Sequence, residues 1–138
     1  MQNTSTRYAR SILIADDQPA FRKLLRQALA DLADEFIECS DGVEAVAAFE
    51  RHQPDWALLD WMMPNLDGVA AARSIRARHP EARIVVLSVH FTPTLAKEAV
   101  DAGARACFPK ERLQDLLRLL RQSPPWEEVI TASDPKPT

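Results

Sequence analysis

Residues 58–68 read LLDWMMPNLDG. The apolar run from Trp56 to Leu59 leads straight into Asp60, and a turn-forming Met-Pro-Asn follows before Asp67 and Gly68. An uninterrupted apolar run of this length suits a strand buried on both faces. A buried strand that finishes on a carboxylate implies a fold whose strand ends carry chemistry. Open α/β sheets have that property, because ligands lie beyond the carboxyl ends of their parallel strands.

Working outward, short apolar runs alternate five times with segments of helical period, the pattern of βαβ units and of a parallel sheet covered by helices on both faces. The first strand is predicted as SILIA, 11–15. After Pro19, the residues Phe21, Leu24, Leu25, Ala28, Leu29 and Leu32 recur on one helical face. EFIEC (35–39) forms a second strand, and Ser40-Asp41-Gly42 starts a helix carrying Val43, Val46, Ala47 and Phe49 to about His52, broken by Pro54. WALLD (56–60) is the third strand, followed by a helix from Asp67 to about Arg78 that Pro80 ends. RIVVLS (83–88), a helix from about Thr94 to Ala102 stopped by Gly103, ARACF (104–108) and a last helix over about 111–122 complete the series. In that last helix Leu113, Leu116, Leu117 and Leu120 share a stripe and Leu119 lies off it. The segment 123–138 is rich in proline and is expected to be a flexible tail.

With 138 residues, 46% of them hydrophobic, the chain fits one domain with a real core. Seventeen basic against twenty acidic residues leave a formal charge of -3, without the basic excess that direct nucleic-acid binding needs. The polar start MQNTSTRYARS carries no apolar signal region, and no run approaches the roughly 18 apolar residues of a membrane span. A cytoplasmic location without membrane contact is the expectation. Cys39 and Cys107 lie in β-like segments outside any CxxC or Cys/His cluster, and read as small buried hydrophobes. The three histidines, His52, His79 and His90, make no zinc spacing, and three glycines cannot build a phosphate loop.

Right-handed crossovers bring the C-terminal strand ends to one edge. Strand one ends at Asp16 and Asp17, strand three at Asp60, strand four at Ser88, and strand five runs into Lys110. Carboxylates this close need neutralising charge, and hard oxygen ligands without Cys or His point to Mg2+. A carboxylate beside a divalent cation, with Lys and Ser as donors, is the equipment of acyl-phosphate chemistry, in which a carboxylate oxygen attacks phosphorus. Asp67, placed before a helix, reads as an N-cap.

The ordered set ADD, LLDWMMPNLDG, VVLS and FPK at strand ends resembles the receiver domains of two-component response regulators over about residues 10–122. The resemblance implies a flavodoxin-like (βα)5 fold, a doubly wound parallel five-stranded sheet in the order 2-1-3-4-5. It implies a receiver over 11–122 between an N-terminal extension (1–10) and the tail (123–138). Asp60 would be the phosphoacceptor, Ser88 the switch hydroxyl and Lys110 the phosphate-binding ammonium. Asp17 and Asp60 would be direct Mg2+ ligands, Asp16 a ligand through water, and the Met62 backbone carbonyl a further one. His90, two residues past Ser88, and Met62, two past Asp60, stand where water reaching the phosphoryl group is tuned. Trp61 should sit over the metal site. A sensor histidine kinase or histidine phosphotransfer protein is the implied donor, with a downstream protein of unknown identity and homodimerisation on phosphorylation as an option.

The chain departs from the family pattern on strand five, where Cys107 replaces the usual Tyr or Phe three residues before the lysine. Glu111 follows the lysine where a proline and a cis bond are usual. A cis bond before a non-proline costs about 2.5 to 4 kcal/mol, so a trans bond is expected. The chain is expected to act as a stand-alone receiver whose only enzymology is its own phosphorylation and dephosphorylation. The alternatives are the receiver fragment of a helix-turn-helix transcription factor and an interaction module that ignores phosphate.

Overall fold

A computed structural model describes residues 9–122; the extension up to residue 8 and the tail 123–138 lie outside the described residues. The elements run β1 (Ala9–Ala15), α1 (Pro19–Ala28), β2 (Ala33–Cys39), α2 (Gly42–His52), β3 (Trp56–Asp60), α3 (Gly68–Arg78), β4 (Ile84–Ser88), α4 (Pro93–Asp101), β5 (Ala106–Pro109) and α5 (Leu113–Gln122). The five strands form one parallel sheet in the order β2-β1-β3-β4-β5.

Strand side chains alternate between the two faces, so one strand feeds two cores. Leu13, Ala15, Ala57, Leu59, Ile84 and Val86 pack under α2, α3 and α4. Ile12, Ile14, Trp56, Leu58, Val85 and Leu87 pack under α1 and α5. Because β1 lies inside the sheet, the chain moves one way to β2 and then back past β1 to β3, and this reversal puts the right-handed crossover α1 on one face and the crossovers α2, α3 and α4 on the other. β3 and β4 are buried at every residue, as a two-sided core demands.

Three helices begin on side-chain caps: Asp41 Oδ1 accepts from Glu44 N (2.7 Å), Asp67 Oδ1 from Ala70 N (2.8 Å) and Thr92 Oγ1 from Leu95 N (3.0 Å). Pro19 and Pro93 occupy first helical positions, where the missing N–H has no partner to lose. The expected cap role of Asp67 is therefore seen.

Several local expectations shift. β1 and β2 each start two residues earlier than the apolar pattern suggests, at Ala9 and Ala33, because the pair extends through Ala9-Arg10 and Ala33-Asp34, where a charged residue interrupts the apolar run. β4 begins at Ile84 instead of Arg83, and β5 covers Ala106–Pro109 instead of 104–108. Leu24 is 47% exposed, while Leu25, Leu29 and Leu32 are buried, the last two in the turn that follows α1. On α2, Val43 is 54% exposed and Ala47 is also outward; Ala45, Ala48 and Phe49 face the core. The start of the helix lies close to the loop before α3, since a Cβ on Gly42 would collide with the Leu66 carbonyl. Leu119, expected off the α5 stripe, is half-buried against the same core as Leu116 and Leu120. Among the described residues every peptide bond is trans, the Lys110–Glu111 bond included.

Candidate functional site

Parallel pairing aligns the strand ends and continues past them. Asp60 stands opposite Leu87 in the register and Ser88 opposite Pro109. Beyond the strands, Asp16 N donates to Cys39 O (3.0 Å), Trp61 N to Leu87 O (2.8 Å) and Lys110 N to Ser88 O (2.9 Å). These bonds fix the backbone from which the polar side chains project at one edge.

There Lys110 Nζ lies 2.7 Å from Asp16 Oδ2 and 3.4 Å from Asp60 Oδ1. Asp16 is 1% and Asp60 7% exposed, whereas Asp17 is exposed. The other Asp16 oxygen, Oδ1, accepts from Gln18 N (2.8 Å), and the Asp16 carbonyl accepts from Arg22 Nη1 (2.6 Å). Arg22 is in turn paired with Glu38 at 2.9 Å. The Asp16 main chain is thus gripped from α1 while its carboxylate holds the lysine.

One carboxylate oxygen from each of Asp16, Asp17 and Asp60 lies within 4.8 Å of the others. Burial pushes the Asp60 carboxyl up to about 6, the negative charge of Asp16 adds to the rise, and Lys110 offsets part of it. Three carboxylates against one ammonium leave an excess of negative charge at a partly buried spot. An all-oxygen donor set without nitrogen or sulfur fits a hard divalent cation such as Mg2+.

Gly68 packs under the loop that follows β3: its N–H donates to Trp61 O (2.8 Å), and a Cβ there would run into the Asp60 carbonyl. Asn65, at φ 70°, donates its side-chain amide to Asp41 Oδ2 (2.7 Å), tying the same loop to the start of α2. Asp17, Trp61, Met62, Met63, Pro64 and Asp67 line an open pocket of about 490 Å³. Trp61 is therefore a neighbour of Asp17, and Met62 is 55% exposed beside it.

Ser88 is buried, and its Oγ accepts from His90 N at 2.8 Å, leaving the hydroxyl proton free to donate elsewhere. The His90 side chain is exposed. Cys107 is buried on the α2–α4 face and Phe108 packs on the opposite face, against the α1/α5 core. Burial raises both thiols, Cys39 and Cys107, to about 11, which keeps them inert. Sequence reasoning thus located Asp16, Asp17, Asp60 and Lys110, which the structure brings together, and placed Ser88 at the neighbouring strand end. It missed the parts supplied by α1 and the residue before it: the Gln18 amide, the Arg22 grip, and the Phe21 ring beneath Lys110 at 4.3 Å. The apolar periodicity assigned Phe21 to the core, and nothing in the sequence marks its second neighbour.

The family model for the response regulator receiver domain matches residues 12–122. The chain is 35% identical over 121 residues to the response regulator MprA of Mycobacterium sp. (strain KMS), covering 84% of this chain and 53% of that one. It spans about half the length of the curated relatives it matches. Among solved structures it is similar to the signal receiver domain of the response regulator NarL from Mycobacterium tuberculosis, with a TM-score of 0.74, 28% identity, and coverage of 81% of this chain and 96% of that one. It is also similar to a chain of the CheX-CheY-BeF3-Mg complex from Borrelia burgdorferi, with a TM-score of 0.72, 26% identity, and coverage of 81% and 87%.

Proposed function

Because this chain belongs to the response regulator receiver domain family, the signalling domains of two-component systems, we propose that it takes a phosphoryl group onto Asp60 and reports it to a partner by a change of shape. The observation that carries this reading is the Lys110 ammonium held between Asp16 and Asp60 at convergent strand ends, 2.7 and 3.4 Å away. A carboxylate oxygen of Asp60 attacks the phosphorus of a phosphohistidine on a sensor histidine kinase or histidine phosphotransfer protein. The O–P bond forms, the N–P bond breaks, and the imidazole nitrogen takes a proton from solvent. Lys110 moves toward the phosphoryl oxygens and neutralises part of their charge, and the Ser88 hydroxyl donates to another. Asp17 and Asp60 would hold Mg2+ directly, Asp16 through water, with the Met62 carbonyl as a further ligand. When bound, the ion supplies positive charge that offsets the crowded carboxylates and the incoming oxygens. Water later attacks the phosphorus of the acyl phosphate, the O–P bond to Asp60 breaks, and inorganic phosphate leaves behind the free carboxylate, with Met62 and His90 at the approach. That the CheX-CheY complex named above contains BeF3 and Mg supports this reading.

The receiver unit is proposed to span 11–122, with β1 adding Ala9 and Arg10 to its edge. Among the described residues no helix is long and apolar enough to cross a membrane. The test is mass measurement with Mg2+ and a small phosphodonor. The original chain should gain one phosphoryl group and Asp60→Asn none; an original chain that gains nothing would leave the phosphate-independent module as the reading.

A second reading is favoured by the length of the relatives, one of which is named a transcriptional regulatory protein and is about twice as long as the matched region. In that case this receiver controls an output half that binds DNA. The genomic reading frame decides between them.

A further inference from the structure

Lys110 keeps its charge where little water reaches: its side chain is 10% exposed. An ammonium carries three N–H donors and accepts nothing, so its surroundings must supply all of its solvation. Two carboxylates contribute, Asp16 at 2.7 Å and Asp60 at 3.4 Å. The third neighbour is an aromatic face, since Nζ stands over the Phe21 ring 4.3 Å from its centroid. That distance is well inside the roughly 6 Å within which a ring quadrupole attracts a cation, and the attraction grows as water is excluded.

Phe21 is held firmly enough to act on the lysine. It lies in the first turn of α1, where Pro19 fixes the backbone and Phe21 N donates to Gln18 O (3.1 Å). The ring is partly buried against the α1/α5 core. Its neighbour Arg22 clamps the Asp16 carbonyl at 2.6 Å. One helical turn therefore fixes both ends of the Lys110–Asp16 pair.

The geometry points to Phe21 as a positioning residue that holds the Lys110 ammonium over the acceptor site through a cation–π contact. This rests on the reading of Lys110 as the group that meets the phosphoryl oxygens. Hydrogen bonds to carboxylates are directional and must break when Lys110 turns from Asp16 to a phosphoryl oxygen. The ring face imposes no such direction, so its contact with the ammonium counts most midway through the exchange, when the Asp16 bond is broken and the phosphoryl contact is still forming. Leucine would fill the same core space and supply no quadrupole.

The experiment uses the full chain and Phe21→Leu, Phe21→Tyr and Phe21→Trp, with acetyl phosphate and Mg2+ as the phosphodonor mixture. Phe21→Leu should slow acyl-phosphate formation about 5- to 30-fold, the equivalent of about 1 to 2 kcal/mol. Tyr and Trp should restore the rate to within about threefold of the original, because both keep the ring face. Independently, the ε-methylene protons of Lys110 should resonate upfield of an ordinary lysine in the original chain and return to ordinary positions in Phe21→Leu. A leucine variant as fast as the original, or aromatic variants as slow as leucine, overturns the proposal. So do ordinary lysine shifts in the original chain. Should Phe21→Leu not fold, the Lys110 shifts of the original and of Phe21→Trp decide, since an indole must preserve or enlarge the upfield displacement. If the original chain takes up no phosphate, the acceptor reading fails while the same shifts still decide the contact.

Discussion

Asp60 is a buried carboxyl raised from 3.8 to about 6 by burial and by Asp16, with Lys110 compensating in part. A folded carboxyl that binds its proton more tightly than the unfolded one loses stability as pH rises from about 4 through 6, and the full deficit stands above that window. For a shift of this size it is on the order of 2 to 3 kcal/mol. Without metal, Asp60→Asn should therefore be more stable than the original at pH 7.5 by on the order of 2 kcal/mol. Near pH 4 the two should be alike. Urea denaturation at both pH values with a chelator present measures this, and an Asn variant no more stable at pH 7.5 would show that the site bears no such electrostatic load. Mg2+ should then stabilise the original chain more than the variant. The carboxylates were legible in the sequence because each interrupts or follows an apolar run at a strand end. The Phe21 ring beneath Lys110 was not, since an aromatic at helical spacing has the same signature whether it touches a cation or only carbon.

At the scale of elements, the β3–α3 connection is defined by two adjacent residues with different duties. Asp67 caps α3 through Ala70 N at 2.8 Å, and Gly68 gives room for the Asp60 carbonyl. Asp67→Ala removes one cap and should cost about 1 kcal/mol. Gly68→Ala places a methyl group against the Asp60 backbone and should cost about 2 to 3 kcal/mol, although alanine is the better helix former. Urea denaturation of both variants checks the order, and an equal or smaller cost for Gly68→Ala would mean that the loop yields easily. Element type was readable along the chain because β3 and β4 are continuously apolar while the helices are periodic. Inward-facing residues on α2 were less so: hydropathy favours Val43 over Ala45, yet the helix turns Ala45, Ala48 and Phe49 inward and leaves Val43 exposed. Strand starts at Ala9 and Ala33 were hidden because backbone pairing continues into segments where a charged residue interrupts the apolar run.

Across the whole molecule, transmission has to run from the strand ends to the helices with a small residue at the strand-five position. Cys107 lies in the α2–α4 core and Phe108 on the other face, so neither offers a ring that could swing between solvent and the space beside Ser88. Change is expected to concentrate in the loop after Ser88 and the start of α4. Amide-shift mapping with a phosphoryl mimic should show responses centred on residues 88–97 in the original chain and in Cys107→Tyr. A dominant response at 105–120 in the original would place the output on α5 instead. The sheet order was legible only through family resemblance, since spacing alone predicts a parallel sheet and leaves its permutation open. The Asp16–Lys110 pair, which joins residues 94 positions apart, also has a consequence for the birth of the protein. A nascent chain synthesised only as far as β4 already contains the carboxylates, but the ammonium that balances them is still to come. Mutual repulsion therefore opposes closure of the half-made sheet, and long-range pairing of this kind is slow to form in any case. Arrival of β5 supplies the counter-charge and the last ladder together, so the carboxylate–ammonium cluster should assemble only with completion of folding: a ribosome-stalled chain lacking β5 should show no protected amides in β3.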